Sequence, residues 1–103
     1  MKSKFDFWLE KVNNERETYW NNNFSYKPYE PLEISKGSKY LKIMDGDTVW
    51  AFISMVDGLL KNSPIKKGDL LKPAGWRTPA KHSRGNIFDG TDNWSYYGPE
   101  YLK

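Results

Sequence analysis

The residues best suited to chemistry lie together in one basic stretch, WRTPAKHSRGN, near the C-terminal end of the chain. Arginine pairs bidentately with phosphate or carboxylate, and tryptophan offers a flat face on which a base can stack. These residue types predict a site for a phosphate-bearing ligand, either a nucleotide signal or a nucleic acid. The predicted ligand-binding residues are Trp76, Arg77, Lys81, His82, Arg84 and Asn86.

The positive charge of the chain is concentrated in the same region. Residues 66–84 hold six of the sixteen Lys and Arg residues and one acid, and the whole chain has a formal net charge of +3. Pro73 and Pro79 stiffen this region, which lowers the entropy lost when it is ordered on a ligand. Gly75 and Gly85 would let the main chain approach that ligand closely.

This interpretation requires a particular geometry. Arg77 and Arg84 should be exposed and should line one concave patch with Lys81 and Trp76. In the alternative, Trp76 belongs to the core, the arginines pair with nearby acids and the basic residues merely solvate a surface loop.

Catalytic and metal-binding patterns are missing from the sequence. The chain has one histidine and no cysteine, which excludes a Cys-His pair, a disulfide framework and a thiolate metal site. No Gly-x-Ser-x-Gly elbow or glycine-rich phosphate loop is present. Asp45 and Asp47 alternate like the start of a calcium loop, but nothing continues the pattern, and a hairpin turn explains them better. We therefore predict a protein that is not an enzyme and that needs no cofactor and no metal.

The elements that must position the basic stretch begin with a helix over residues 4–20. Ser3 followed by Asp6 is typical of a capping box, and the run Asn21-Asn22-Asn23 should end the helix. Its apolar face, which leaves out Phe7, consists of Phe5, Trp8, Leu9, Val12, Tyr19 and Trp20. That face should dock on the domain, although a detachable helix that inserts into a partner's groove is the alternative.

The rest of the sequence predicts extended segments and β-strands. Residues 21–38 contain Pro28 and Pro31 and should form a connector. Its anchoring residues should be Tyr26, Tyr29, Leu32 and Ile34. The β-rich part should span residues 39–103. The predicted strands are residues 39–44, a central strand at 48–56, 70–72, 85–88 and an edge strand within 94–102.

These elements predict one domain over residues 1–103 with an α+β fold. An N-terminal amphipathic helix should pack on a small, strongly bent antiparallel sheet or a partly open barrel. Apolar residues make up only 38% of the chain while aromatic residues reach 17%, so the core should be built from a few large side chains.

Residues 67–103 resemble the C-terminal part of small uncharacterised accessory proteins of tailed bacteriophages. The resemblance lies in the pieces KGDLLKPAGW, TPAKHSRGNIFDG and YGPEYLK. Those proteins show a W-x-x-P-A-K-x-x-R-G-N run and an aromatic-Gly-Pro-x-Tyr-Leu ending. The resemblance implies a phage accessory protein that acts in the host cell cytoplasm, for example against host defence or transcription, and it implies no activity.

Two functions follow from the sequence. The first is non-catalytic binding of a phosphate-bearing ligand, a nucleotide or a nucleic acid, through the basic stretch. The second is a protein–protein inhibitor of a host factor that uses the aromatic-rich surface, since aromatic residues and arginine are common interface anchors. No membrane partner is expected, because the longest apolar run is too short to span a bilayer. The oligomeric state is left open.

Overall fold

The structure is a computed structural model that describes residues 3–24, 26–37, 39–60, 63–75, 79–96 and 98–99, without the side chains of Lys36, Lys81 and His82. It contains one helix and nine strands in this described part of the chain. They are α1 (Lys4–Asn23), β1 (Glu33–Lys36), β2 (Tyr40–Asp45), β3 (Thr48–Ser54), β4 (Gly58–Leu60), β5 (Ser63–Ile65), β6 (Asp69–Pro73), β7 (Pro79–Asn86), β8 (Trp94–Ser95) and β9 (Gly98–Pro99).

Five of the strands form one antiparallel sheet in the order β1-β2-β3-β6-β7. The β4-β5 hairpin is inserted between β3 and β6, and β8 pairs with β9 in a second small hairpin. The sheet has β1 and β7 as open edges, so it is not closed into a barrel. The predicted α+β fold, a helix on a small antiparallel sheet, is confirmed.

Helix α1 begins with the predicted capping box. The backbone N–H of Asp6 donates to Ser3 Oγ at 3.2 Å, and the backbone N–H of Ser3 donates to the Asp6 carboxylate at 3.1 Å. The helix continues through the asparagine run to Asn23, because the N–H of Phe24 still reaches the carbonyl of Trp20 at 2.6 Å. Within the described residues, no helix is long and apolar enough to cross a membrane.

One face of the sheet packs against α1. Trp8 and Val12 are the buried hydrophobic residues of the helix, and Phe5 and Leu9 are packed against the same cluster. The buried members of this cluster are Trp8, Val12, Leu32, Leu41, Ile43, Trp50, Ala51, Ile53 and Leu70. The predicted docking of the helix on the domain is therefore observed, except that Tyr19 remains exposed.

The central strand is buried on both faces, as predicted. Ala51 and Ile53 belong to the helix-side cluster, whereas Phe52 points to the opposite face and packs with Leu71 and Ile65. This alternation makes β3 the middle of the sheet and explains why its sequence is apolar on both sides.

The basic stretch differs from its prediction. Residues 79–86 form strand β7, whereas the sequence analysis placed a loop up to residue 84 and a strand at 85–88. The reason is pairing with β6, through partners such as Leu71 and Ser83. Two further predictions were wrong: the C-terminal strands form the β8-β9 hairpin and not a sheet edge, and Tyr26 of the connector is exposed.

Candidate functional site

The predicted ligand site is described only in part. Trp76 and Arg77 lie outside the described residues. Lys81 and His82 lie on β7, but their side chains are likewise outside the description. Only Arg84 and Asn86 can therefore be compared with the predicted geometry.

Arg84 is buried, with 6% of its surface exposed. The prediction that this arginine is exposed on a concave patch is wrong. The segment that follows β7 folds back to the strand, and the N–H of Asn93 donates to the Arg84 carbonyl at 2.8 Å. The Nε atom of the Arg84 side chain is buried as well.

The Asn86 side chain forms hydrogen bonds to nearby turns within the protein. Its Nδ2 donates to the carbonyl of Lys67 at 2.9 Å and to the carboxylate of Asp69 at 3.0 Å. Its Oδ1 accepts from the N–H of Phe88 at 2.8 Å. Because both ends of the amide are used internally, Asn86 acts as a structural link between β6 and β7.

Gly85 allows another backbone segment of the same protein, and not a ligand, to lie close to β7. Its φ angle is +93°, in a region that favours glycine. A Cβ at this position would come within 2.4 Å of the Thr91 carbonyl carbon and 2.7 Å of Asp92 Cα. The glycine thus lets residues 91–92 lie directly on β7.

The turn that precedes this contact is closed by Asp89. Its carboxylate accepts from the Thr91 hydroxyl at 2.5 Å and from the Thr91 N–H at 3.0 Å. These hydrogen bonds lower the pKa of Asp89 below its ordinary value. The turn directs residues 90–96 back along helix α1.

A groove lies between α1 and residues 87–96, and we call it the helix groove. It consists of two clefts of about 340 and 390 Å³ that share Lys11, Gly90 and Asp92. The helix side is formed by Lys4, Phe7, Trp8, Lys11, Glu15, Arg16 and Tyr19. Residues separated by three or four positions lie on the same side of a helix, which explains why these side chains line one groove.

One end of the helix groove is aromatic and exposed. Phe7 is 61% exposed and Phe88 is 41% exposed, and both line the smaller cleft. The ring of Phe88 contacts that of Phe5 in a tilted arrangement, with 5.3 Å between the ring centroids. The Lys4 ammonium lies 5.6 Å from the centroid of Phe88. This end therefore offers apolar area beside a positive charge.

Asp92 lies at the middle of the helix groove and joins its two walls. One oxygen of its carboxylate, Oδ2, accepts from the indole N–H of Trp8 and from that of Trp94, each at 2.9 Å. Trp8 belongs to the helix, whereas Trp94 belongs to the same wall as Asp92, so the bond from Trp8 connects the two walls.

The other end of the helix groove is built on Arg16, which is 1% exposed. Its guanidinium donates through Nε to the Tyr96 carbonyl at 3.3 Å, through Nη1 to the Tyr29 hydroxyl at 2.9 Å and through Nη2 to Asp45 at 3.3 Å. It also stacks on the Tyr96 ring, 4.2 Å from its centroid. Because every group of the fork has a partner inside the protein, we regard Arg16 as structural.

Tyr29 completes this arrangement. Its hydroxyl donates to Asn13 Oδ1 at 2.7 Å while it accepts from Arg16. Burial raises the pKa of Tyr29 above 10.0 and outweighs the opposite effect of the nearby Arg16. The hydroxyl therefore stays protonated at neutral pH and keeps both hydrogen bonds.

The helix groove offers a surface on which a partner could bind. Among the described residues, no three His, Cys, Asp or Glu side chains are grouped as metal ligands. The carboxylate of Asp92 accepts hydrogen bonds from two indole N–H groups. What the groove presents is exposed aromatic area with charges at its edge.

The sequence matches the model of one protein family. Residues 7–98 match a family described as a family of unknown function, DUF7717. The chain belongs to this family. No curated protein and no solved structure matches the chain. The match covers the helix groove from Phe7 on α1 to Tyr96, and Lys4 precedes it.

Sequence reasoning missed the helix groove for an identifiable reason. Its two walls are separated by more than 60 residues of chain, and no periodic pattern connects them. One signal was present: Phe7 is the single aromatic residue that points off the apolar stripe of α1. A single exposed aromatic side chain is common on protein surfaces, and only its neighbour Phe88, distant in sequence, makes Phe7 part of an exposed apolar patch.

Proposed function

We propose that the protein is a non-catalytic binding module that holds an extended segment of a partner protein in the helix groove. The observation that carries the proposal is the exposed aromatic pair, Phe7 and Phe88, at one end of a continuous groove. Buried aromatic anchors contribute most of the affinity in many protein interfaces.

The shape of the helix groove favours a peptide segment over a compact ligand. Its helix side extends from Lys4 to Tyr19, which corresponds to about 22 Å at about 1.5 Å per residue. An extended peptide of about seven residues has this length. The prediction that the partner is a host factor depends on the phage resemblance alone.

A displayed library of random twelve-residue peptides tests this function. We expect selection on the wild-type protein to enrich peptides whose binding is lost on Phe7→Ser. For a purified peptide from that pool, Phe7→Ala should raise the Kd at least about fivefold, as truncation of an interface anchor does. Leu59→Ala is the matched control, since Leu59 is 70% exposed on β4 and lines neither cleft. Equal effects of both substitutions, or no enrichment, would contradict the proposal.

Binding of a phosphate-bearing ligand through the predicted basic residues is a second candidate. It is supported by Lys72, which is exposed on β6 beside β7. The next residue, Pro73, pairs with Pro79 at the start of β7, so Lys72 lies near the strand that carries Lys81 and His82. Several cations on adjacent strands would suit a phosphate backbone.

Titration with short single-stranded DNA, RNA and cyclic dinucleotides at two salt concentrations tests this second function. Phosphate contacts predict affinity that falls steeply as salt rises. The triple variant Lys72→Ala, Lys81→Ala, Arg77→Ala should abolish binding, whereas Lys27→Ala and Lys39→Ala, which remove exposed charges elsewhere, should not. The absence of binding to all three probes would exclude this function.

A further inference from the structure

We infer that the helix groove selects an acidic peptide segment, with an aromatic or aliphatic side chain seated between Phe7 and Phe88 and carboxylates beside it. This inference rests on the proposed function and specifies the chemistry of the partner. It depends on the charges that surround the aromatic pair.

Two lysines flank the aromatic pair. Lys4 and Lys11 both line the smaller cleft, on the same side of α1 as Phe7. Both are exposed, and among the described residues neither forms an ion pair. Two exposed cations around an apolar surface favour a partner with carboxylates at matching positions.

The charge of Lys4 is not explained by the stability of the helix. A helix N-terminus carries a partial positive charge, so a lysine in the first turn is electrostatically unfavourable there. Among the described residues, the contact of the Lys4 ammonium is with the ring of Phe88, whose centroid lies 5.6 Å away. That contact places the ammonium at the aromatic end of the groove.

The acids in the helix groove leave this end positive. Asp92 is the acid that lines the smaller cleft, and its Oδ2 already accepts from two indole N–H groups. Glu15 lines only the larger cleft, farther along the helix. Arg16 directs its charge to Asp45 and not into the groove. A bound segment should therefore place its acidic residues at the Lys4 end and neutral polar residues near Glu15.

Peptide selection on charge-reversed protein tests the inference. We expect peptides selected on the wild type to be rich in Asp and Glu next to an aromatic or aliphatic residue. The double variant Lys4→Glu, Lys11→Glu should instead enrich Lys and Arg. It should also raise the Kd of a wild-type-selected peptide about tenfold, with a smaller effect at high salt. The control variant is Lys27→Glu, Lys39→Glu, which reverses two exposed lysines that line neither cleft.

The outcomes separate this inference from the proposed function. Peptides that depend on Phe7 but show no excess of acids, or no change of preference on charge reversal, would overturn the inference and leave the binding function standing. If no peptide depends on Phe7, the binding function fails and the inference fails with it. Because Lys4 and Lys11 are exposed, the melting temperature of the double variant should stay close to that of the wild type.

Discussion

The indole N–H of Trp8 donates to the carboxylate of Asp92 at 2.9 Å and so connects the first turns of the helix with the C-terminal part of the chain. Trp94 donates to the same oxygen at the same distance. Trp8 is buried, so its N–H depends on this acceptor and not on water. The bond from Trp8 links the two walls of the helix groove through Asp92, whereas the bond from Trp94 lies within one wall.

The first prediction is therefore that Asp92→Ala destabilises the fold. It leaves two indole N–H groups without their acceptor, and we expect a loss of about 2–4 kcal/mol in the free energy of unfolding. Urea denaturation followed by tryptophan fluorescence measures this loss. Asp47→Ala, at an exposed turn, is the control and should change the free energy by less than about 0.5 kcal/mol. Similar values for the two variants would show that the indoles find other acceptors.

The second prediction concerns Gly85. In Gly85→Ala the new Cβ would collide with backbone atoms of Thr91 and Asp92. Backbone atoms cannot shift aside as easily as the end of a flexible side chain. We expect a loss of more than about 3 kcal/mol from strain and displaced backbone.

Gly46→Ala is the matched control for that loss. Gly46 also has a positive φ angle, +59°, but a Cβ there would meet nothing within 4 Å. Only the conformational strain of about 1–2 kcal/mol should remain. Thermal unfolding of both variants gives the comparison, and an equal decrease would mean that the contact with residues 91–92 is unimportant.

The elements that follow local patterns could be predicted from the sequence. The capping box at Ser3 and the apolar stripe of α1 depend on residues three and four positions apart. The central strand β3 is apolar on both faces and has turns on both sides. Such signals require no knowledge of distant residues, and the α+β fold followed from them.

Strand β7 could not be recognised in this way. It begins with Pro79 and is rich in cations, features that are usual in loops. They are also usual at sheet edges, where proline is tolerated and charges prevent further pairing. Which of the two applies is decided by pairing with β6, a contact between segments that the local pattern does not reveal. The helix groove likewise depends on contacts between the two ends of the chain.

The third prediction is that Arg16→Lys is not a conservative substitution. A lysine cannot reproduce the planar fork that reaches Tyr96, Tyr29 and Asp45 in three directions. We expect a loss of about 2–3 kcal/mol in the free energy of unfolding, since buried acceptors lose their donors.

Asp45→Ala separates the contribution of the ion pair from that of the other hydrogen bonds of Arg16. The Asp45 side chain is 46% exposed, so its ion pair with Arg16 should contribute less than about 1 kcal/mol. The two variants are compared by chemical denaturation. If Asp45→Ala costs as much as Arg16→Lys, the ion pair and not the set of buried hydrogen bonds explains the position of Arg16.

The last prediction is a pH dependence that arises from Tyr29. Its pKa is raised above 10.0 in the folded protein by burial. The contribution of this group to stability is therefore complete below pH 10 and is lost as the pH rises from 10 through the folded pKa. Deprotonation removes the hydrogen bond to Asn13 and places a negative charge in a partly buried position.

Tyr29→Phe tests this dependence. At neutral pH the variant should lose about 1–2 kcal/mol because its hydrogen bonds with Arg16 and Asn13 are gone. Between pH 9 and 11 it should lose less stability than the wild type, since the titrating group is absent. Tyr26→Phe, which removes an exposed hydroxyl, should follow the wild type over the same range. Denaturation curves at closely spaced pH values give the slopes, and parallel slopes for all three proteins would assign the alkaline loss of stability to other residues.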